Sequence, residues 1–232
     1  MVEKSAPGFF GKLRSHGDFV GRRLPPAMRD PFDAWLQAAL LRSRHDLGAA
    51  WTPVWLSSPL WRFVLAPGVC GDGAWAGVMM PSLDQVGRCF PLVLAAPCAG
   101  APALAECLTR HAAWFARLED IALSSLDDGF SLDAFDAALL TPDGAPAGNA
   151  AGAQGGALPL SPPLLRPARV TVLADGPLPA LVFESMEGAS AWWGMGSAQV
   201  APSLACSPGL PAPALFAAML DGDWRARGWV EV

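Results

Sequence analysis

Residues 61–97 of this 232-residue chain read WRFVLAPGVCGDGAWAGVMMPSLDQVGRCFPLVLAAP. Three short apolar runs stand out in this stretch, at 61–66, 74–80 and 90–96, and each ends at a proline. Runs of this length between turn residues are typical of strands. Their short connections favour antiparallel neighbours, and because neither side of the runs is polar, we expect the sheet to be covered on both faces.

Upstream of this stretch, the spacing of apolar residues predicts an amphipathic helix over 31–47. Asp30 is the expected N-cap, Pro31 the first helical residue, and Gly48 a natural stop. Downstream, similar stripes predict helices over 102–126, over 131–140 with Ser131 as cap, and over about 211–221.

Further apolar runs predict strands at 169–174, 180–185 and 190–194. Residues 141–163 consist largely of Ala, Gly and Pro, and we expect them to form a flexible loop inside the domain. Two groups of strands separated by helices predict an α/β fold. The expected architecture is a single three-layer α/β/α-type domain over 1–232, with a central, mostly antiparallel (mixed) sheet flanked by helices.

The composition narrows the function classes. Apolar residues make up 52% of the chain and the formal net charge is −5, which fits a large core and does not favour bulk nucleic-acid binding. Residues 1–45 carry eight Lys or Arg against four acids, whereas 119–143 carry seven acids and no base. The basic and acidic regions could face each other or could bind a partner. The simpler interpretation is that the acidic run is a solvated helix face.

The five cysteines are odd in number and form no Cys-x-x-Cys pair, which argues against a disulfide framework and a zinc ribbon. No apolar segment of signal-peptide length precedes Gly8, and prolines break the longest apolar stretch, about 90–105. We therefore expect a cytoplasmic protein with no direct membrane insertion.

Known catalytic motifs fail on this chain. Gly11-Lys12 lacks the first glycine and the hydroxyl residue of a phosphate loop, and Gly71-x-Gly73 is followed by a strand-like run rather than a helix. Gly188-Ala189-Ser190 lacks the second glycine of a nucleophile elbow. Cys107 and His111 share a predicted helix face, but without further ligands we interpret them as core residues. We expect no catalytic residue, metal or cofactor.

One polar segment remains, GFFGKLRSHGDFV at residues 8–20. It is expected to be an ordered loop or short extended segment. In one interpretation its apolar residues anchor it in the core, and Lys12 and Asp18 form a local ion pair or cap turns. The alternative is a polar cluster on a rigid loop. The anchors would be Phe9, Phe10, Leu13, Phe19 and Val20, and the cluster Lys12, Ser15, His16 and Asp18.

This segment resembles the opening of the TagF/ImpM family, accessory proteins of bacterial type VI secretion systems. The matching parts near the start are Phe10-Gly11-Lys12-Leu13, Gly17-Asp18-Phe19-Val20 and Leu24-Pro25. A central block is similar as well, and it includes Trp61-Arg62-Phe63, Pro81-Ser82-Leu83-Asp84 and Val86-Gly87-Arg88. A C-terminal block contains Trp192-Trp193, Gly196-Ser197 and Gly228-Trp229. Arg14 departs from the pattern, which usually has proline there.

The resemblance implies an α/β sandwich with a regulatory role, and no catalytic activity follows from it. It further implies a cytoplasmic, post-translational negative regulator that binds the forkhead-associated scaffold protein of the secretion system. Two other hypotheses stay open: a small-ligand-binding protein or undescribed enzyme using the Lys12/Asp18 loop, and a structural subunit of the apparatus. The candidate partner or motif residues are Lys12, Ser15, Gly17, Asp18, Arg88, Trp192 and Trp193.

Overall fold

The computed structural model describes residues 6–98, 104–141, 168–173 and 188–232. The strands are β1 (Gly8–Gly11), β2 (Val20–Arg22), β3 (Trp61–Leu65), β4 (Ala74–Met80), β5 (Leu92–Cys98), β6 (Arg169–Val172), β7 (Ala189–Gly194), β8 (Ser203–Pro208) and β9 (Val230–Glu231). The α-helices are α1 (Pro26–Leu47), α2 (Trp51–Ser57), α3 (Leu104–Leu108), α4 (Ala112–Ser124), α5 (Leu132–Leu140) and α6 (Ala218–Asp221). Short 3-10 helices lie at Gly48–Ala50 and Pro213–Leu215.

The described strands form one sheet in the order β2-β1-β5-β4-β3-β7-β8-β6-β9. Neighbouring strands are antiparallel except β6 and β9, which run parallel. The α/β fold with a mixed, mostly antiparallel sheet is therefore confirmed.

A hydrophobic layer covers each face of the sheet. Successive side chains of a strand point to opposite faces, so Phe63 belongs to one layer and Val64 to the other. The first layer contains side chains of α1, α2 and α6, including the fully buried Phe32 and Trp55. The second contains side chains of α4 and α5, including Phe115. This arrangement is the three-layer one that the sequence predicts.

The central strands match their predicted positions, with one difference at a proline. The strand predicted to end before Pro97 begins at Leu92 and continues through Pro97 to Cys98. β5 pairs with β1 only as far as Ala95, whereas it pairs with β4 along its whole length. One side of Pro97 thus has no neighbouring strand, which is the condition that proline needs in a sheet.

Two predicted helices have different bounds. α1 begins at Pro26, with Pro25 as N-cap, and Pro31 lies inside it. Pro26 fixes the first helical φ angle, while Pro31 costs the helix one backbone hydrogen bond, a loss that the packed apolar face offsets. The helix predicted over 102–126 is two helices, α3 and α4, separated by a turn. His111 is the N-cap residue of α4 and is half-buried rather than part of the core.

The C-terminal helix is shorter than predicted. In place of one helix over 211–221, the chain forms the 3-10 helix Pro213–Leu215 and the four-residue α6, although Gly222 ends it as expected, in the left-handed region at φ 76°. α2, β8 and β9 were not predicted from the sequence, whereas α5 follows its predicted cap Ser131. The strand predicted at 180–185 and residues 142–163 of the predicted loop lie outside the described residues.

Candidate functional site

Two loops leave the sheet side by side. The β1–β2 loop comprises residues 12–19, and the β4–β5 loop comprises residues 81–91. They are neighbours because Gly11 pairs with Leu92, and Leu92 pairs in turn with Met80. The approach is close: a Cβ atom on Gly11, which has φ +136°, would lie 2.0 Å from the carbonyl oxygen of Pro91. Only glycine fits at this position.

A buried ion pair joins the two loops. The Nζ atom of Lys12 lies 2.8 Å from Oδ2 of Asp84, a carboxylate with no solvent exposure. The same Oδ2 accepts a hydrogen bond from Nε of Arg88 at 2.6 Å. The other oxygen, Oδ1, accepts from the backbone N–H groups of Val86 and Arg88 at 3.1 and 2.8 Å. Four donors thus surround Asp84, and the carboxylate is fully engaged in holding the loops together.

The surroundings of Asp84 keep it charged. Burial alone would favour its neutral form, but the hydrogen bonds from Lys12, from the backbone and side chain of Arg88 and from the backbone of Val86 outweigh that cost. Their net effect holds the pKa of Asp84 well below its usual range.

This shift predicts a loss of stability in acid. A carboxylate whose pKa is lowered by folding contributes stability above its ordinary value, here 3.8, and that contribution disappears as the pH falls toward the lower pKa of the folded state. We expect the stability difference between wild type and Asp84→Asn to be largest near neutral pH and to shrink below about pH 4. Urea unfolding from about pH 7 to about pH 3 measures it. A difference that stays constant across this range would contradict the assignment.

Further contacts between the two loops make the arrangement rigid. The hydroxyl of Ser82 donates to the carbonyl oxygen of Lys12 at 2.8 Å. The backbone N–H of Gln85 donates to the carbonyl oxygen of His16 at 3.0 Å. The Arg88 guanidinium donates to the carbonyl oxygen of Gly17. α2 also contacts the β4–β5 loop, since Nε1 of Trp55 donates to the carbonyl oxygen of Ser82 at 3.1 Å.

Aromatic and aliphatic side chains complete the exposed face of the loops. Phe19 packs edge-on against Phe90, with ring centroids 4.8 Å apart, and Nζ of Lys12 lies 5.2 Å from the Phe19 ring centroid. Phe19 nevertheless remains 56% exposed, so it is not the core anchor that the sequence predicts. Val86, near the tip of the β4–β5 loop, is 70% exposed.

The structure brings together only part of the predicted polar cluster. Lys12 pairs with Asp84 and not with Asp18, so the predicted Lys12–Asp18 ion pair is wrong. Asp18 is exposed, and Ser15 lies at hydrogen-bond distance from Nδ1 of His16, at 2.8 Å. The reason is that the buried position beside Lys12 is filled by a residue 72 positions away in the chain, which leaves Asp18 in solvent.

Sequence reasoning missed Asp84 as the centre of this site. A local signal was present, because Asp84 and Gly87 occupy the first and fourth positions of a tight turn. Gly87 donates its N–H to the carbonyl oxygen of Asp84 at 2.9 Å and has φ +84°. The signal indicates a turn but not that the carboxylate points inward to Lys12.

Trp192 and Trp193 lie far from solvent on opposite faces of β7. Trp192 is fully buried in the first layer, and its Nε1 donates to Oγ of Ser190 at 2.9 Å. Trp193 belongs to the second layer, where its ring packs 4.8 Å from that of Phe115. Neither side chain offers a surface to a partner, so both are core residues.

The basic start of the chain faces part of the acidic run. Arg22 contacts Asp136 at 2.5 Å and Asp133 at 3.2 Å, and Arg23 contacts Asp136 as well. These ion pairs join β2 to α5. The face-to-face interpretation therefore holds for these residues, while the exposed side chain of Asp133 also fits the solvated helix face.

The described residues offer little for covalent or metal chemistry. Among them, no group of three or more His, Cys, Asp or Glu side chains could hold a metal ion. Burial raises the pKa of the Cys98 and Cys107 thiols to about 12, so both stay protonated near neutral pH. Within the described residues, no helix has the length and apolar character needed to cross a membrane.

Comparisons with known proteins agree with the fold and cover both loops. Residues 8–141 match the family model for the TagF N-terminal domain, described as type VI secretion system-associated. The structure is similar to the crystal structure of PA0076 from Pseudomonas aeruginosa PAO1, with a TM-score of 0.74 and 35% sequence identity. That match covers 94% of this chain and 95% of the other. A search of curated proteins finds no significant match.

Proposed function

The chain belongs to the TagF family of type VI secretion-associated proteins, and from that premise we propose that it is a non-enzymatic negative regulator of secretion. In this proposal the protein acts in the cytoplasm, after translation, by binding the forkhead-associated scaffold protein of its secretion system. It needs no cofactor for this role.

The state of Asp84 is the observation that favours binding over catalysis. A general base or nucleophile needs a free lone pair within reach of a substrate. The Asp84 carboxylate instead accepts hydrogen bonds from Lys12, Arg88 and two backbone N–H groups, and it has no solvent exposure. The polar groups of the loops therefore serve to hold a surface in shape. The alternative of an enzyme or small-ligand binder that uses Lys12 and Asp18 loses its basis, since these two side chains do not form one site.

Deleting the gene tests the regulatory role. We expect effector release into the medium to rise several-fold under repressing conditions and to return to the wild-type level on complementation. Immunoblotting of culture supernatants against a lysis control measures this. Unchanged release under both repressing and inducing conditions would overturn the proposal.

The deletion strain, together with fractionation of wild-type cells, separates a regulator from a built-in subunit. A regulator leaves assembly intact when it is removed, and it is recovered largely apart from the apparatus on fractionation. Loss of assembly, together with stoichiometric copurification, would favour a structural subunit instead.

A further inference from the structure

The two loops expose both apolar and basic side chains. We define the loop face as the exposed surface of residues 14–19 and 85–88, together with Arg44 of α1. Phe19 and Val86 are its large exposed apolar side chains, at 56% and 70% exposure. The Arg88 side chain is 61% exposed. It contacts Asp84 within its own loop and joins that loop to the β1–β2 loop through the carbonyl oxygen of Gly17.

Arg44 is linked to the β4–β5 loop through two tryptophans. Trp51 stacks on Trp55, with ring centroids 5.3 Å apart, and Nε1 of Trp55 donates to the carbonyl oxygen of Ser82 in that loop. The Arg44 guanidinium stacks over the Trp51 ring, with the Cζ atom 4.3 Å from the centroid. Burial raises the pKa of the Cys89 thiol in the same loop, and the positive charge of Arg44 opposes the rise. The stacking keeps the charged head exposed at a defined place.

The charge of this face differs in sign from that of the whole chain. The face and the ion pair beneath it contain four basic side chains against two carboxylates, a formal excess of two positive charges. The chain as a whole carries a formal net charge of −5. The basic residues are Lys12, Arg14, Arg44 and Arg88, and the acidic ones are Asp18 and Asp84.

We infer that the loop face is the docking surface for an acidic segment of the partner protein that also carries an apolar side chain. Arginine and aromatic residues are enriched at interfaces, and exposed basic side chains attract and orient a carboxylate-rich segment. The buried Lys12–Asp84 pair fixes both loops before binding, so docking requires little ordering of the backbone. This inference rests on the proposed function, whose partner it uses.

The test is binding of the purified full-length forkhead-associated scaffold protein of the same secretion system to four variants of this protein. Arg14→Glu and Val86→Glu change exposed side chains of the loop face without touching the ion pair. Arg110→Glu and Leu123→Glu are matched controls, because Arg110 and Leu123 are exposed on the α3–α4 turn and on α4. Circular dichroism confirms that each variant is folded.

We expect Arg14→Glu and Val86→Glu each to raise the Kd at least about tenfold, which corresponds to about 1.4 kcal/mol, while the controls stay within about twofold. The wild-type Kd should also rise with salt, as expected for binding between exposed basic and acidic side chains. If the wild type binds and both loop variants bind equally well, the docking surface is wrong while the proposed function stands. If the wild type does not bind the scaffold protein, both are overturned.

Sedimentation of the protein alone tests the competing occupant, a second copy of this chain. Self-association that Val86→Glu abolishes would assign the loop face to a homodimer and overturn the inference. A wild-type monomer at the concentrations of the binding assay supports it.

Discussion

Replacing Trp192 with alanine is expected to lower the free energy of unfolding by about 3 to 5 kcal/mol, because it leaves a large cavity in the first hydrophobic layer. Trp192 has no solvent exposure, and its ring lies 5.2 Å from that of Phe63 and 5.3 Å from that of Trp35, measured between centroids. In a domain of this size, such a loss lowers Tm by about 6 to 20 °C. Thermal and denaturant unfolding followed by circular dichroism measures it.

Two matched variants show what the loss is due to. Trp192→Phe keeps an aromatic ring but loses the hydrogen bond to Ser190, so we expect a smaller loss than for alanine. Phe19→Ala removes an aromatic ring that is more than half exposed, so we expect a much smaller loss of free energy of unfolding than for either Trp192 variant. A Trp192→Ala protein as stable as the wild type, but unable to bind the scaffold protein, would contradict a core role and restore a partner-contact role.

Replacing Lys12 with methionine is expected to lower the free energy of unfolding by about 2 to 4 kcal/mol, because the buried carboxylate of Asp84 loses its nearest ammonium group. Arg88 and two backbone N–H groups still bind that carboxylate, which keeps the loss below that of a fully stranded charge. Methionine matches the length of the lysine stem, so the packing around it changes little. Urea unfolding near neutral pH measures the effect.

The control for this change is Asp18→Asn, which alters the exposed carboxylate predicted from sequence to pair with Lys12. We expect it to stay within about 0.5 kcal/mol of the wild type. In the double variant Lys12→Met/Asp84→Leu neither charge remains. We therefore expect it to lose less free energy of unfolding than the sum of the losses in the single variants Lys12→Met and Asp84→Leu. Equal effects of Lys12→Met and Asp18→Asn, or simple additivity in the double variant, would contradict the buried pair.

The contacts of the two loops give the β1–β2 loop a defined structural role. Gly11 lets the β1–β2 loop approach Pro91, the ion pair of Lys12 and Asp84 fixes the approach, and Phe19 remains exposed above it. In the proposed docking role, each of these features helps to present the loop face to the partner. In this interpretation, a variant that breaks the ion pair weakens binding by loosening the loops, whereas Val86→Glu weakens it with the loops intact.

Local patterns in the sequence were sufficient for the fold class. The strands from Trp61 to Leu65 and from Ala74 to Met80 follow from short apolar runs bounded by turn residues, and the α5 cap at Ser131 follows from its hydroxyl. These signals work because strand length, turn conformation and capping depend on residues a few positions apart. The family resemblance arises from the same segments.

Contacts between distant segments depended on the tertiary structure. Whether Lys12 meets Asp18 or Asp84 depends on the strand order β1-β5-β4, which places residues 72 positions apart side by side. The break between α3 and α4, and the start of α1 at Pro26, likewise reflect packing rather than helix propensity alone.

The sequence by itself thus determined a mixed α/β sheet of the TagF family and singled out residues 8–20 as a candidate partner-binding segment. Only the tertiary structure showed that Lys12 is buried against Asp84, that Trp192 and Trp193 belong to opposite hydrophobic layers, and that Phe19 stays exposed. The physical reason is that burial and ion pairing are set by which strands become neighbours, and local sequence patterns do not specify that order.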